Sequence, residues 1–449
     1  MTTVAVVGGG LAGITAALRC ADAGARVTLL EGRSRLGGLT HSFKRGELDV
    51  DNGQHVFLRC CTAYLGLLDR LGVTGSVTVQ RRLAIPIAAP GRPVAWLRRD
   101  PLPAPAHLAR SLLGYAPLSL AERLRFVGAA LALRRVDLDA PATDRQSFGD
   151  WLAAHGQSRR AVNTLWDLVG VATLNSTAGN ASLALAAKVY QTGLLTKASA
   201  ADIGWSLVPL GELHGAAAER ALAAAGAEVR TSARVSSVRP AGGGWDVGGQ
   251  VFDQVVCAVP PDQAARILPP GVLPAGGELG TAPIVNLHFV YDRTVLEQPF
   301  LAAIDSPLQW VFDRTRQSGL AEGQYVAVSL SAAHDLIDVP VAELRARMVP
   351  ALEALLPAAR DAELRDFFVT RERHATFDPA PGSARLRPPA ATARPGLWLA
   401  GAWTATGWPA TMEGAVRSGD TAAAGVLSLV PPGRAASSGA ESTLDGVAT

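Results

Sequence analysis

The chain opens on a short β-branched and apolar run, Val4-Ala5-Val6-Val7, which breaks at Gly8-Gly9-Gly10-Leu11-Ala12-Gly13 and resumes as an Ala- and Leu-rich stretch to Asp22. That order predicts a strand, a tight turn and a helix. A second strand is expected over 26–30, ending at Glu31, so the N-terminal segment reads as one β-α-β unit. Farther along, apolar positions at helical spacing predict helices over 64–71, 117–135, 148–170, 181–192, 214–225 and 341–356, with Gly226 at a C-cap position. Strands are expected over 228–238, 251–259, 284–291, 310–312, 325–330, 367–376 and 397–401, and a final helix begins near Glu413. Between 84 and 105, prolines interleave with apolar residues and arginines, and this stretch reads as an irregular connection.

The α/β pattern is interrupted twice and returns twice, which predicts interleaving. The expected fold class is α/β, or α+β overall. One Rossmann-like domain is drawn from 1–80, 206–270 and 386–430, and a second region of mixed sheet plus helices is inserted from 81–205 and 271–385. A polar, small-residue tail over 431–449 reads as disordered. Within the inserted region, Leu120, Leu124, Val127 and Leu131 recur at helical spacing, with Glu122, Arg123, Arg125, Arg134 and Arg135 mostly elsewhere on the wheel. This predicts an amphipathic, cationic helix.

Composition narrows the class. With 48% apolar and 18% charged residues over 449 positions, the chain is too apolar for disorder and long enough for more than one core. The 42 basic and 39 acidic residues leave a net charge of +3, too even to advertise a nucleic-acid surface. Cys20, Cys60, Cys61 and Cys257 have neither a disulfide-framework spacing nor a C-x-x-C pair, so no metal is expected and a reducing cytoplasm fits best. No uncharged apolar run approaches the length that spans a bilayer. The 117–135 helix therefore carries two readings: a helix lying in an anionic membrane interface, on the inner face of the cell membrane, or an ordinary helix packed on the inserted region.

The chemistry starts at Gly8-x-Gly10-x-x-Gly13. It follows a strand, opens a helix and is followed at the end of the next strand by Glu31, the arrangement a dinucleotide needs. The glycines permit the turn and the approach of a pyrophosphate to the helix N-terminus, while Glu31 suits a ribose with free hydroxyls. Arg33 offers a bidentate phosphate donor, and Gly37-Gly38 lets backbone approach a flat ligand. Asp49-Val50-Asp51-Asn52-Gly53-Gln54-His55 is the densest polar cluster of the chain; His55 is suited to proton delivery, and the alternative for each member is a structural role in a turn. The strand-loop-helix through Gly401, Trp408, Pro409 and Glu413 would place an electron-rich ligand edge at a helix N-terminus.

Together these residues resemble the FAD-dependent amine oxidase and isoprenoid desaturase superfamily. More closely they resemble its hydroxysqualene dehydroxylase branch, also called squalene-associated FAD-dependent desaturases, of hopanoid and carotenoid pathways. The strings that carry the closer resemblance are Asp51 to Leu58 followed by Cys60-Cys61-Thr62-Ala63-Tyr64, then Leu165 to Asn175, Asp202-Ile203-Gly204-Trp205, and Leu308 to Arg314. The resemblance spans residues 2 to about 430 and implies FAD as cofactor.

Carried over by position, it places Gly8, Gly10, Leu11, Ala12 and Gly13 on the pyrophosphate, Glu31 on the ribose, Arg33 on the phosphates and Val235 on the adenine. Gly37, Gly38, Leu39, Gly53, His55, Gly401, Ala402, Trp403, Met412 and Glu413 would surround the rest of the cofactor. Leu39 stands where many relatives have arginine, and Arg35 or Lys44 is the candidate substitute. The implied reaction removes the hydroxyl of hydroxysqualene, a C30 isoprenoid, by hydride transfer to an allylic cation, giving squalene. His55, and after it Asp51, is the candidate proton donor. Trp166, Leu174, Trp310, Phe312 and Trp408 are the candidate substrate wall, and enzymes of the squalene pathway are the implied functional partners. Two other readings share the fold: a desaturase or amine oxidase taking hydride from its substrate, and a non-catalytic prenyl-chain carrier.

Overall fold

The computed structural model describes residues 1–274 and 279–429, so the expected tail over 431–449 lies outside the described residues. Five parallel strands form the first sheet, in the order Glu228–Arg230, Arg26–Leu30, Thr3–Val7, Gln254–Cys257 and Leu397–Leu399. Apart from the edge strand Glu228–Arg230, their residues are almost wholly buried, as expected where helices cover both faces of a parallel sheet. The inner strands, distant in sequence, thus lie side by side because each needs the same kind of two-sided burial.

A second sheet of seven strands is built from Leu364–Phe377, Thr281–Tyr291, Gln324–Leu330, Trp310–Asp313, Phe300–Ala303, Ala84–Ala88 and Ala95–Arg98. The last two correct the expectation for 84–105: this stretch contributes an edge hairpin rather than an irregular connection. Pro86 lies within its Ala84–Ala88 strand, which pairs antiparallel with the edge strand Ala95–Arg98 and parallel with Phe300–Ala303 over Ile87 and Ala88. Proline is compatible with such a strand where its missing N–H does not interrupt a ladder.

The expected helix over 148–170 divides into Phe148–Ala154 and Arg159–Ala161, then passes through a wide turn at Val162–Trp166 into Asp167–Leu174. Similar wide turns end Leu183–Tyr190 and precede Ala217–Ala224. The 228–238 strand stops at Arg230, and the chain beyond it runs irregularly to Val238. Helices Leu11–Asp22 and Met412–Ser428 cross where an added Cβ on Gly419 would lie 2.3 Å from the Ala12 carbonyl oxygen, so the close approach requires glycine there.

Candidate FAD site

The N-terminal turn is tight. A Cβ on Gly13 would lie 1.9 Å from the Gly8 carbonyl oxygen, so this position must be glycine for helix and strand to meet. Gly10 precedes the Leu11–Asp22 helix and supplies no side-chain cap, which leaves first-turn N–H groups of the helix as donors for an anion. The Gly37-Gly38 turn closes over it, with the Gly37 N–H donating to the Gly9 carbonyl at 2.8 Å. Gly38 has a φ of +56°, and a Cβ there would lie 2.8 Å from the Gly10 Cα. A Cβ on Gly10 itself would meet nothing nearer than 3.8 Å, so the cradle is open just where a pyrophosphate needs room. The residues fit a dinucleotide.

Glu31 is held firmly: its two carboxylate oxygens accept the Gly9 N–H and the Arg33 N–H, each at 2.7 Å. The Arg33 side chain is exposed. Ser232 and Ala233 donate their N–H groups to the carbonyls of Arg33 and Glu31 at 2.7 and 2.8 Å, which brings half-buried Val235 near the ribose acid from the irregular chain after Arg230. Leu39 is exposed, Lys44 pairs with Asp49 at 3.0 Å, and Arg35 points at the Gly38 carbonyl at 3.4 Å. Of the two candidate substitutes, only Arg35 bonds to the glycine loop.

At the far end, Leu397–Leu399 leads through Gly401 into the Met412–Ser428 helix. The Gly401 N–H donates to Ser418 Oγ at 2.7 Å, and Ala402 is half-buried. The Trp403 indole folds back over Gly401 and donates to the Val259 carbonyl at 3.1 Å, so it packs into the core. Thr411 Oγ1 accepts the Gly414 N–H at 3.2 Å, which leaves the first-turn N–H groups of Met412 and Glu413 for a ligand. The Glu413 side chain does not line the site. It is buried, accepts the Ala63 and Tyr64 N–H groups at 3.2 and 2.8 Å, and binds Arg417 at 2.7 Å, so it caps the Thr62–Arg70 helix.

The 51–55 cluster lies where the two sheets' regions meet. Asp51 is not free to act as an acid: one oxygen accepts from Ser42 Oγ at 2.6 Å and from the Leu210 N–H at 2.9 Å, and the other takes buried Arg314. Asn52 joins the His41 N–H to Glu372, and its carbonyl accepts from Asn286 Nδ2 at 3.2 Å. Next to it, Gly53 sits with its Cα facing His55, whose Nδ1 is 3.1 Å from the Gly53 carbonyl. Burial pulls the His55 imidazole below its ordinary range, and burial with the Arg35 charge pulls His41 down to about 4. Both rings are neutral at pH 7. With Nδ1–H donated to Gly53, His55 keeps Nε2 as an acceptor.

Of the expected substrate wall, Trp166, Leu174 and Phe312 are buried in core clusters. Trp310 and Trp408 stay partly exposed; the Trp310 indole donates to the Leu168 carbonyl at 3.2 Å, and Trp408 lies 5.0 Å from Lys188 Nζ and 4.9 Å from the Arg417 guanidinium. Local sequence does not single out His41, Glu372, Arg314 or Asp167 as site residues. Arg314 and Asp167 lie inside strings that carry the closer resemblance, whereas nothing near Glu372 in sequence marks it. Burial raises the Asp167 carboxyl to about 6.

The family profile described as "Flavin containing amine oxidoreductase" matches residues 11–427. Hydroxysqualene dehydroxylase of Rhodopseudomonas palustris is 29% identical over 94% of this chain and 97% of its own. The protein of the same name from Zymomonas mobilis is 26% identical over 94% and 98%, and zeta-carotene desaturase of Synechocystis is 24% identical over 94% and 97%. Among solved structures, putrescine oxidase superposes with a TM-score of 0.70 at 19% identity over 95% of this chain and 99% of its own. Cyclohexylamine oxidase from Brevibacterium oxydans also gives 0.70, at 18% identity over 95% and 99%. These two show the shared fold. A dinucleotide cradle in a flavin-containing family makes the cofactor FAD, and the chain belongs to the flavin containing amine oxidoreductase family as an FAD-dependent oxidoreductase.

Proposed function

We propose that this protein reduces hydroxysqualene to squalene. The observation that carries the reading is similarity to two hydroxysqualene dehydroxylases over nearly the whole of all three chains. FAD, when bound and reduced, supplies a hydride. The chain's own residues do the rest. Gly8, Gly10, Leu11, Ala12 and Gly13 hold the pyrophosphate, Glu31 the ribose and Val235 the adenine, with Arg33 exposed beside the phosphates. Gly37, Gly38, Leu39, Gly53, Gly401, Ala402, the Trp403 backbone and the N–H groups of Met412 and Glu413 surround the rest of the cofactor.

His55 is the group that handles the proton of the departing hydroxyl, and Asp51 holds the segment bearing it. Because burial keeps the imidazole neutral at pH 7, His55 must first take up a proton on Nε2 before giving it to the departing hydroxyl, so proton delivery weakens as pH rises and strengthens toward acid. Trp310 and Trp408 offer apolar faces to the hydrocarbon. Anaerobically reduced enzyme mixed with hydroxysqualene yields squalene and oxidised flavin in equal amounts. If no squalene forms while an isoprenoid substrate instead reduces the oxidised flavin, the dehydroxylase reading gives way to a desaturase, and protein that takes up no FAD gives way to a carrier.

The substrate of such an enzyme resides in lipid, and we propose that the Leu120–Leu133 helix rests on an anionic membrane. Its apolar stripe faces outward: Leu120 and Leu124 are each 59% exposed, Val127 40% and Leu131 43%, while Ala129, Ala130 and Leu133 pack inward. Exposed Leu113 adds to the patch, and Arg110, Arg125, Arg134 and Arg135 are exposed with it. Arg123 is excluded from that set because it donates to the carbonyls of Leu113 and Leu118. Among the described residues no helix is long and apolar enough to cross a membrane. Sedimentation with anionic liposomes decides the matter: wild type pellets with them and L120N/L124N/L131N stays in solution. Equal pelleting of wild type and variant rejects the surface.

A further inference from the structure

Arg387 follows the short turn at Ser383–Leu386 and is 6% exposed, yet among the described residues it has no carboxylate within 4.0 Å. Its Nη2 donates to the Ala402 carbonyl at 3.1 Å, the Thr404 carbonyl at 2.6 Å and Thr406 Oγ1 at 3.0 Å. Nε is buried without a partner, and the guanidinium lies 4.6 Å from the centre of the Phe377 ring. The carboxylate that attracts it from farther off, Asp144, is occupied by Ser182 Oγ at 2.9 Å and the Ala384 N–H at 3.1 Å. Burial lowers the guanidinium to about 10, which still leaves it charged at neutral pH. A full positive charge is therefore held inside the protein against the carbonyl dipoles of one loop.

An unpaired buried charge is costly, and stapling a loop does not require one, because a neutral amide could bond two of the same acceptors. What distinguishes the position is the loop it grips, the segment between Leu397–Leu399 and the Met412–Ser428 helix. Because a peptide unit is planar and trans, turning the Ala402 carbonyl toward Arg387 turns the Trp403 N–H the opposite way. We propose that Arg387 is a positioning residue of the FAD site, fixing residues 402–406 through their acceptors and placing behind them a positive charge with no carboxylate in contact among the described residues, which favours the anionic reduced flavin. The inference rests on the flavin lying against this loop.

The test uses purified holoenzyme and reapplied FAD, with the midpoint potential, the FAD dissociation constant and the thermal unfolding of the apoprotein all measured. R387M, which removes the charge, shifts the flavin potential to more negative values and raises the FAD dissociation constant about tenfold. R387K keeps the charge without the fork, so its potential stays near wild type while its affinity for FAD falls. A folded R387M with wild-type potential and affinity overturns the proposal. Should R387M not fold, R387K decides: a potential as negative as that of free FAD overturns the charge role, and an unchanged affinity overturns the loop role. Wild-type protein that binds no FAD removes the site reading itself, an outcome separate from any of these.

Discussion

At the residue scale, the site depends on what certain side chains lack. A methyl group on Gly10 would have 3.8 Å of clearance in the protein alone, yet it would project into the space between the glycine turn and Gly38. Gly10→Ala is expected to leave the melting temperature of the apoprotein nearly unchanged while weakening FAD binding by at least about tenfold, or about 1.4 kcal/mol, which a flavin fluorescence titration reads. The buried histidines make a second prediction. Burial holds His214 and His288 each near 3 and His41 near 4, below the ordinary value of 6.5. The fold thus favours their neutral forms: their contribution is complete above pH 6.5 and declines as pH falls from 6.5 toward 4, where the unfolded chain takes up protons that the folded one refuses. Thermal unfolding followed from pH 8 to pH 5 should show a plateau and then a fall, and His214→Gln should make that fall shallower. These local facts divide by legibility. The glycine turn and Glu31 are readable because their roles come from their own backbone and immediate neighbours. The neutrality of His55 is not, because it depends on what surrounds it.

At the scale of elements, periodicity located helices well and could not say which way they face. Leu120, Leu124, Val127 and Leu131 form the apolar stripe of their helix, and in an ordinary helix that stripe would be buried; here the alanines and Leu133 are buried instead. The opposite case is the crossing of Leu11–Asp22 with Met412–Ser428, two helices at opposite ends of the chain. Gly419→Ala would force a methyl to within 2.3 Å of the Ala12 oxygen and separate them. A loss of about 1–3 kcal/mol in denaturant unfolding is expected, together with weaker FAD binding, since the proposed FAD site draws on Ala12 and Met412 at its two ends. Edge strands were the least legible elements. The prolines over 84–105 signal a break in any central strand and are silent about a place at the margin of a sheet.

At the scale of the whole molecule, the N-terminal segment is joined to the seven-stranded sheet through a polar pair of which the sequence assigned only Asp51 to chemistry. Asp51 and Arg314 are 263 positions apart and form a buried ion pair that ties the N-terminal segment to the seven-stranded sheet. Asp51→Ala leaves a buried guanidinium without a partner and should destabilise the protein by about 3–5 kcal/mol. Chemical denaturation checks this, and loss of stability in parallel with activity distinguishes an anchor from a proton donor. By itself, the sequence determined the β-α-β unit, the dinucleotide fingerprint, the approximate places of most strands and helices, and the family. These depend on local propensity, periodicity and short motifs, which act over a few residues. Tertiary structure alone decided that Asp51 and Glu413 are structural carboxylates, that Trp403 turns inward, that the 120–133 stripe faces out, and that Arg387 meets the carbonyls of the 402–406 loop with no carboxylate partner among the described residues. Each of these follows from which distant residues supply burial and hydrogen-bond partners, and no local pattern carries that information.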